Sequence, residues 1–443
     1  MFHIVSRFKQ EDRFRFHALN TNRLIKTAIV CVFSFSAVVS VGNVVAKSYS
    51  NGRFDNSRWA KDLYQFWHGG RLFLQSINPY MGMKNHPPPK ETPEASEYPR
   101  AARGLTPPES WRVEIVSAAP PLFLIMLPLS FLPWVPAGLA WFLLNVGFAA
   151  LFVRLVLKYA GKTLFSLDGW LLASLFFSLI CTRQVFELGQ NSLAVAALMY
   201  LSLAAVVRSQ ALSGILLGIA FSKFSVALPM VFYFAYKKKV RPLLWCGLTQ
   251  ILGFLVICVF APTDWMDVAR RTLWISRLAF NPHPRAFPHG EMPWDAVSSA
   301  VQWAVTAATM PVVFRVCRRR FPERLEKPAA LTLLSVFSLW SLLALFHNRH
   351  DMVIALPFLA ISFLLYDARD PGSGSYYFSL SEQERLPIQA ACALVLFVWI
   401  FPVYAVTGMD LYRGLYYGCT VAAFAISLRF FYCLHSGLGG RTA

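Results

Sequence analysis

Ala137-Gly-Leu-Ala-Trp-Phe-Leu-Leu-Asn-Val-Gly-Phe-Ala-Ala-Leu-Phe-Val153 carries no charge over seventeen residues, and Leu155-Val156-Leu157 extends the run past Arg154. A helix rises about 1.5 Å per residue, so about 20 mostly apolar residues cross the hydrocarbon core of a bilayer. The stretch therefore reads as a membrane span. Moving outward, runs of the same kind recur near 24–46, 116–133, 137–157, 168–182, 191–207, 212–236, 242–261, 296–314, 329–346, 350–366, 388–405 and 412–432. The twelve runs predict an all-α polytopic membrane protein. The first lacks a small-residue cleavage site and reads as a retained helix. The short run 168–182, followed by Arg183, Glu187 and Gln190, is expected to be a broken or half-length helix.

Composition agrees. Of 443 residues, 56% are hydrophobic and 15% charged, and the mean hydropathy is +0.47. A soluble chain has no core large enough for so much apolar surface, and disorder needs the opposite bias. The 8 cysteines fall largely within apolar runs, which excludes a disulfide scaffold. The formal charge of +19 is spread over an apolar chain, which fits loops facing anionic lipid head groups and speaks against a nucleic-acid partner.

Cytoplasmic flanks carry the excess of Lys and Arg. The N-terminal tail (Arg7, Lys9, Arg13, Arg15, Arg23), the 237–241 turn and the 315–328 loop are the basic clusters, and alternating spans put all three on one side. Both ends are then cytoplasmic, and 47–115, 262–295, 347–349 and 406–411 face outward. The expected division is a basic tail 1–23, one transmembrane domain 24–436 with long outward loops 47–115 and 262–295, and a tail 437–443.

Residues 57–77 read as an amphipathic helix lying in the membrane interface. Trp59, Leu63, Phe66, Trp67, Leu74 and Ile77 form the apolar stripe, with Arg58, Asp62, Gln65, His68 and Arg71 off it. Residues 81–114 are Pro-rich and read as extended. Outward carboxylates are few, so each is a candidate base. Asp55 also fits a helix N-cap, and Asp62 an ion pair with Arg58 on a wet face. Lys223 lies mid-run between Phe221 and Phe224, where a lone charge is costly unless it faces a cavity or a partner; Gln190 and Glu187 are the polar candidates. His347, Arg349, His350 and Asp351 cluster at one outward junction. No Asp-x-Asp pair occurs, so no metal site is expected, and no glycine-rich phosphate loop indicates a nucleotide or other cofactor.

Asp62, the aromatic helix after it and then Asn78-Pro79-Tyr80 follow the first run directly. Pro120-Pro121, Leu132-Pro133, Gly189-Gln190-Asn191, Ser213-Gly214, Leu217-Gly218, Lys223 and His350-Asp351 follow in order. This series resembles the GT-C class of integral-membrane glycosyltransferases, and within it glycosyltransferase family 87, the mannosyltransferase-like group. Ala119 and His350 stand where that family usually carries aromatics.

The resemblance implies a GT-C-like fold. It also implies inverting transfer of a sugar, mannose or another hexose or pentose, from a polyprenyl-phosphate donor to a glycan or lipid acceptor at the outer face of the cell inner membrane. Asp62 is then the general base, with Asp55 as its rival. Arg58, Arg270, Arg271, Arg277, Arg285 and Lys223 are candidates for the donor phosphate, with Arg71 beside them. Asn78, Tyr80, Gln190, Asn191, His347, Arg349, His350 and Asp351 are candidates for substrate contact. A flippase would line several spans with charge, whereas here the charges gather in outward loops. A glycan ligase or polymerase would depend on 262–295 rather than on Asp62.

Overall fold

The computed structural model describes chiefly residues 26–39, 60–76, 119–261, 327–344, 349–365, 382–400 and 418–430, with a few shorter pieces. Among the described residues the chain is helical apart from a two-residue antiparallel pairing of β1 (Tyr49–Ser50) with β2 (Arg53–Phe54). The helices are α1 (Lys26–Val39), α2 (Lys61–Phe73), α3 (Pro120–Met126, continued by a 3-10 turn Leu127–Phe131), α4 (Trp134–Tyr159), α5 (Leu167–Ser178) and α6 (Ile180–Leu188). There follow α7 (Ser192–Ala205), α8 (Gln210–Phe221), α9 (Phe224–Tyr236), α10 (Val240–Phe260) and α11 (Lys327–Ala344). A 3-10 segment Arg349–Ala355 leads into α12 (Leu356–Ala360) and a π-helical turn Ile361–Leu365, and α13 (Glu382–Ile400) and α14 (Gly418–Phe430) complete the set.

Among the described residues α4 and α10 are, by length and composition, long and apolar enough to cross a membrane, and the bent pair α5–α6 makes a third if it is one span. The bend, 60° at Leu179, is the broken helix expected of run 168–182. The run 296–314 lies outside the described residues.

Two runs differ from expectation. Run 212–236 is not one span but two helices meeting at Ser222 and Lys223. Gly214 of α8 lies against the Pro242 carbonyl and Gly218 against Thr249, so α8 runs parallel to α10. Because α9 joins the end of α8 to the start of α10, it runs the opposite way. Small residues at 214 and 218 let the α8 and α10 backbones approach, which is how helices associate where lipid removes the hydrophobic drive.

Run 116–133 does not pass from one end of the bundle to the other. At its start, the Ala119 amide donates to the Ser222 carbonyl and the Leu122 amide to Ser222 Oγ, both at 3.1 Å. At its finish, the Leu132 carbonyl accepts from Trp67 Nε1 at 2.9 Å and Arg71 Nη2 at 3.2 Å. Both partners belong to one end. Here α2 lies beside α3, with Phe73 edge-on to Phe123 and Phe260 and Gly70 so close to Ser130 that a Cβ would sit 2.0 Å from its hydroxyl. The interfacial helix is therefore packed into protein: Gln65 and His68, expected on a wet face, are buried, and only Asp62 and Arg71 of its described side chains are partly open.

The far end is marked by Asp168, which pairs with Lys162 at 2.6 Å and with Lys26 at 3.0 Å. Strict alternation of twelve runs would have set Lys26 and Asp168 on opposite sides. In the core between the ends, Phe152 meets Phe176 and Tyr200 edge to face at 5.8 and 5.2 Å.

Candidate active site

The turn between α6 and α7 seats the site. Gly189 closes α6 at φ +66°, and a Cβ there would lie 3.0 Å from Ala60 Cα and from Leu63 Cβ. A side chain would be strained by the left-handed backbone and would push α2 away. Trp141 Nε1 holds the Gly189 carbonyl at 2.8 Å, and the Ala60 amide donates to the Glu187 carbonyl at 2.9 Å. The first turn of α2 is thereby laid on the α6–α7 junction, with Asp62 over Gln190.

From Asp62 a chain of polar groups runs inward. Gln190 Nε2 donates to Asp62 Oδ2, and Gln190 Oε1 accepts from Lys223 Nζ at 3.2 Å. Lys223 also donates to Ser192 Oγ at 2.7 Å and pairs with Asp351 Oδ1 at 2.7 Å. Ser192 Oγ in turn donates to Asp351 Oδ1 at 2.8 Å. The side chains of Lys223 and Asp351 keep only 17% and 4% of their surface exposed. An ammonium has three donors, and all three are engaged by the protein. The α8–α9 break gives Lys223 this place, with its backbone at φ −115°, ψ 74° outside the helical range.

Beyond Asp62 on the same helix, Trp67 packs edge to face with Trp134 at 5.4 Å and carries the Arg71 guanidinium over its ring at 4.9 Å. Arg71 is thus committed to Trp67 and the Leu132 carbonyl. His68, 2% exposed, stacks on Tyr64 at 5.5 Å. Burial disfavours its charged form and lowers its pKa from 6.5 to about 4.

The residues so joined carry the elements of the sequence series. The chain matches the model of glycosyltransferase family 87 over residues 119–345, half its length. It belongs to that family. This family-87 protein is accordingly a glycosyltransferase, and its apolar helices give it membrane character. No curated protein and no solved structure matches it. Gln190, Ser192 and Lys223 fall inside the matched region, and the geometry ties Asp62 and Asp351 to them from either side.

Of the candidates drawn from the sequence of this family-87 glycosyltransferase, Asp62, Gln190, Lys223 and Asp351 are brought together. Asn191 is buried beside them as the residue before α7. Asp55, Arg58, Asn78, Tyr80, Arg270, Arg271, Arg277, Arg285 and His347 lie outside the described residues, as do the side chains of Arg349 and His350. Sequence reasoning missed Ser192; of the partners it offered Lys223, Gln190 is one that the structure provides, and Asp351 is a further one that it did not offer. The available signal for the pair was charge arithmetic: a cation and a carboxylate, each set in an apolar run.

Proposed function

We propose that this family-87 glycosyltransferase moves a sugar from a polyprenyl-phosphate donor to a glycan or lipid hydroxyl, with inversion at the anomeric carbon and Asp62 as general base. The observation that carries this reading is the placement of Asp62. It is a partly exposed carboxylate on a helix whose described side chains are mostly packed into protein, anchored by Gln190 at the outer end of a buried polar network. In the reaction the acceptor hydroxyl attacks the anomeric carbon from the face opposite the departing lipid phosphate, and Asp62 takes the hydroxyl proton. With all three donors of Lys223 engaged, the leaving phosphate falls to the arginines of the outward loops: Arg58, four residues before Asp62 in the sequence, and Arg270, Arg271, Arg277 and Arg285. Asn78, Tyr80, His347, Arg349 and His350 remain the substrate contacts of the proposal, and 24–436 its single transmembrane domain.

The sidedness is part of the same proposal. Lys26, Lys158, Lys162, Arg208 and Lys237–Lys239 border the Asp168 end, which makes that end cytoplasmic by the positive-inside rule. The Asp62 end then faces the periplasm from the inner membrane. Twelve passages remain, but α3 drops out of the count and the α8–α9 hairpin contributes two, with 296–314 as one of the twelve. Twelve residues of α8 rise about 18 Å against a core of about 30 Å. Lys223 is consequently recessed below the outer surface, with α2 and α3 laid over it.

The test is Asp62→Asn in purified protein supplied with polyprenyl-phosphate sugars. The variant keeps size and helix but loses the proton acceptor, and turnover is expected to fall about 100-fold or more with melting unchanged. Near-normal turnover in Asp62→Asn, with Asp55→Asn inactive, would move the base to Asp55.

A further inference from the structure

Gln190 bridges two groups of opposite charge without sharing a proton with either. Its Oε1 faces the Lys223 ammonium and its Nε2 the Asp62 carboxylate. An ammonium only donates and an ionised carboxylate only accepts. The two bonds therefore select one of the two amide orientations; the flipped amide would turn N–H toward ammonium and oxygen toward carboxylate. The ammonium is itself fixed, by Asp351 and Ser192. A lysine or arginine at 190 would hold Asp62 more strongly but would take away its basicity; an amide supplies a donor without a full charge.

We propose that Gln190 is a positioning residue for the reaction: the buried Lys223–Asp351 pair orients its amide, and the amide holds the Asp62 carboxylate ionised and in place. The proposal rests on the reading of Asp62 as the base. Among the described side chains, the other charged and titratable groups on the elements packed around Asp62 are Cys181, Arg183 and Glu187 of α6, Asp351 and Lys223 themselves, and Tyr64, His68 and Arg71 of α2. Gln190 is the link from the pair to Asp62 that the geometry provides.

The experiment uses full-length protein in lipid nanodiscs and a panel of polyprenyl-phosphate hexoses and pentoses, scoring release of polyprenyl phosphate across a pH series. With the donor that the wild type turns over, Gln190→Met is expected to lower kcat about ten-fold and to move the acidic limb up by about one pH unit. KM for the donor should change less than about two-fold, because the binding groups are elsewhere. Lys223→Met with Asp351→Asn, which removes both charges together, should move the limb in the same direction. Adding those changes to Gln190→Met should give no further movement. An unmoved limb in Gln190→Met, with Asp62→Asn inactive, overturns the positioning role while leaving the base in place. A further movement in the triple variant overturns the route through Gln190. Full turnover in Asp62→Asn, or no turnover of any donor by the wild type, overturns the functional reading and this proposal with it.

Discussion

Removing Lys223 alone should destabilise the protein far more than removing Lys223 and Asp351 together. At 2.7 Å the pair has a Coulomb attraction of about 6 kcal/mol for an effective dielectric of about 20. Against this stands desolvation of several kcal/mol for each ion, so the intact pair is close to neutral for stability. Lys223→Met leaves the Asp351 carboxylate, 4% exposed, with its cation gone. Ser192 still donates to it, but a neutral hydroxyl does not supply the charge of the Lys223 ammonium. Loss of one partner of a buried pair costs about 3–5 kcal/mol.

In Lys223→Met/Asp351→Leu neither charge of the pair is left behind, and two apolar side chains take its place at the α8–α9 break and in the 3-10 segment. The double variant should then lie within about 1–2 kcal/mol of wild type. Thermal melting in detergent, followed by tryptophan fluorescence, reads the order: single variant lowest, double variant close to wild type. A double variant that melts below the single one would refute the argument, because it would mean that Asp351 is stabilised by groups other than Lys223. Equal melting of all three proteins would refute the burial of the pair.

The His68 site gives a pH dependence of definite sign. Its pKa in the folded protein, about 4, is below the unfolded 6.5, so the unfolded chain binds the extra proton between those values. Stability from this residue is complete above about pH 6.5 and declines by about 3 kcal/mol as the pH falls toward 4; a His68→Phe variant that loses stability on acidification as steeply as wild type would remove the assignment. Sidedness is checked by single cysteines in intact spheroplasts. A cysteine at Pro89 should react with an impermeant thiol reagent from outside, whereas one at Lys162 should react only after lysis; labelling of the Lys162 site from outside would restore strict alternation of the twelve runs.

The helices themselves were legible because hydropathy is local: every described run from 116–133 to 412–432 holds helix near the expected bounds. Their direction was not, because alternation assumes that every apolar run crosses. Two runs carried warnings against that assumption. Run 116–133 contains Pro120, Pro121, Pro128 and Pro133, which divide it into pieces too short to span. Run 212–236 carries Lys223 at its middle, and a charge there either costs several kcal/mol at bilayer depth or marks a turn. The turn leaves Lys223 recessed, and its desolvation is offset by pairing with a second recessed charge, Asp351. The burial of Gln65 and His68 had no comparable signal. The pattern of α2 records which residues are apolar, while its neighbours α3, α4 and the Gly189 turn come from residues 119–189. Asp62 was found by its position after the first span and its neighbour Gln190 by its place in a small turn motif, but their bond depends on Gly189 admitting the backbone of Ala60. In this fold the place of Asp62 depends on a close approach that a residue without a side chain allows without strain, and that requirement is written at the glycine rather than at the aspartate.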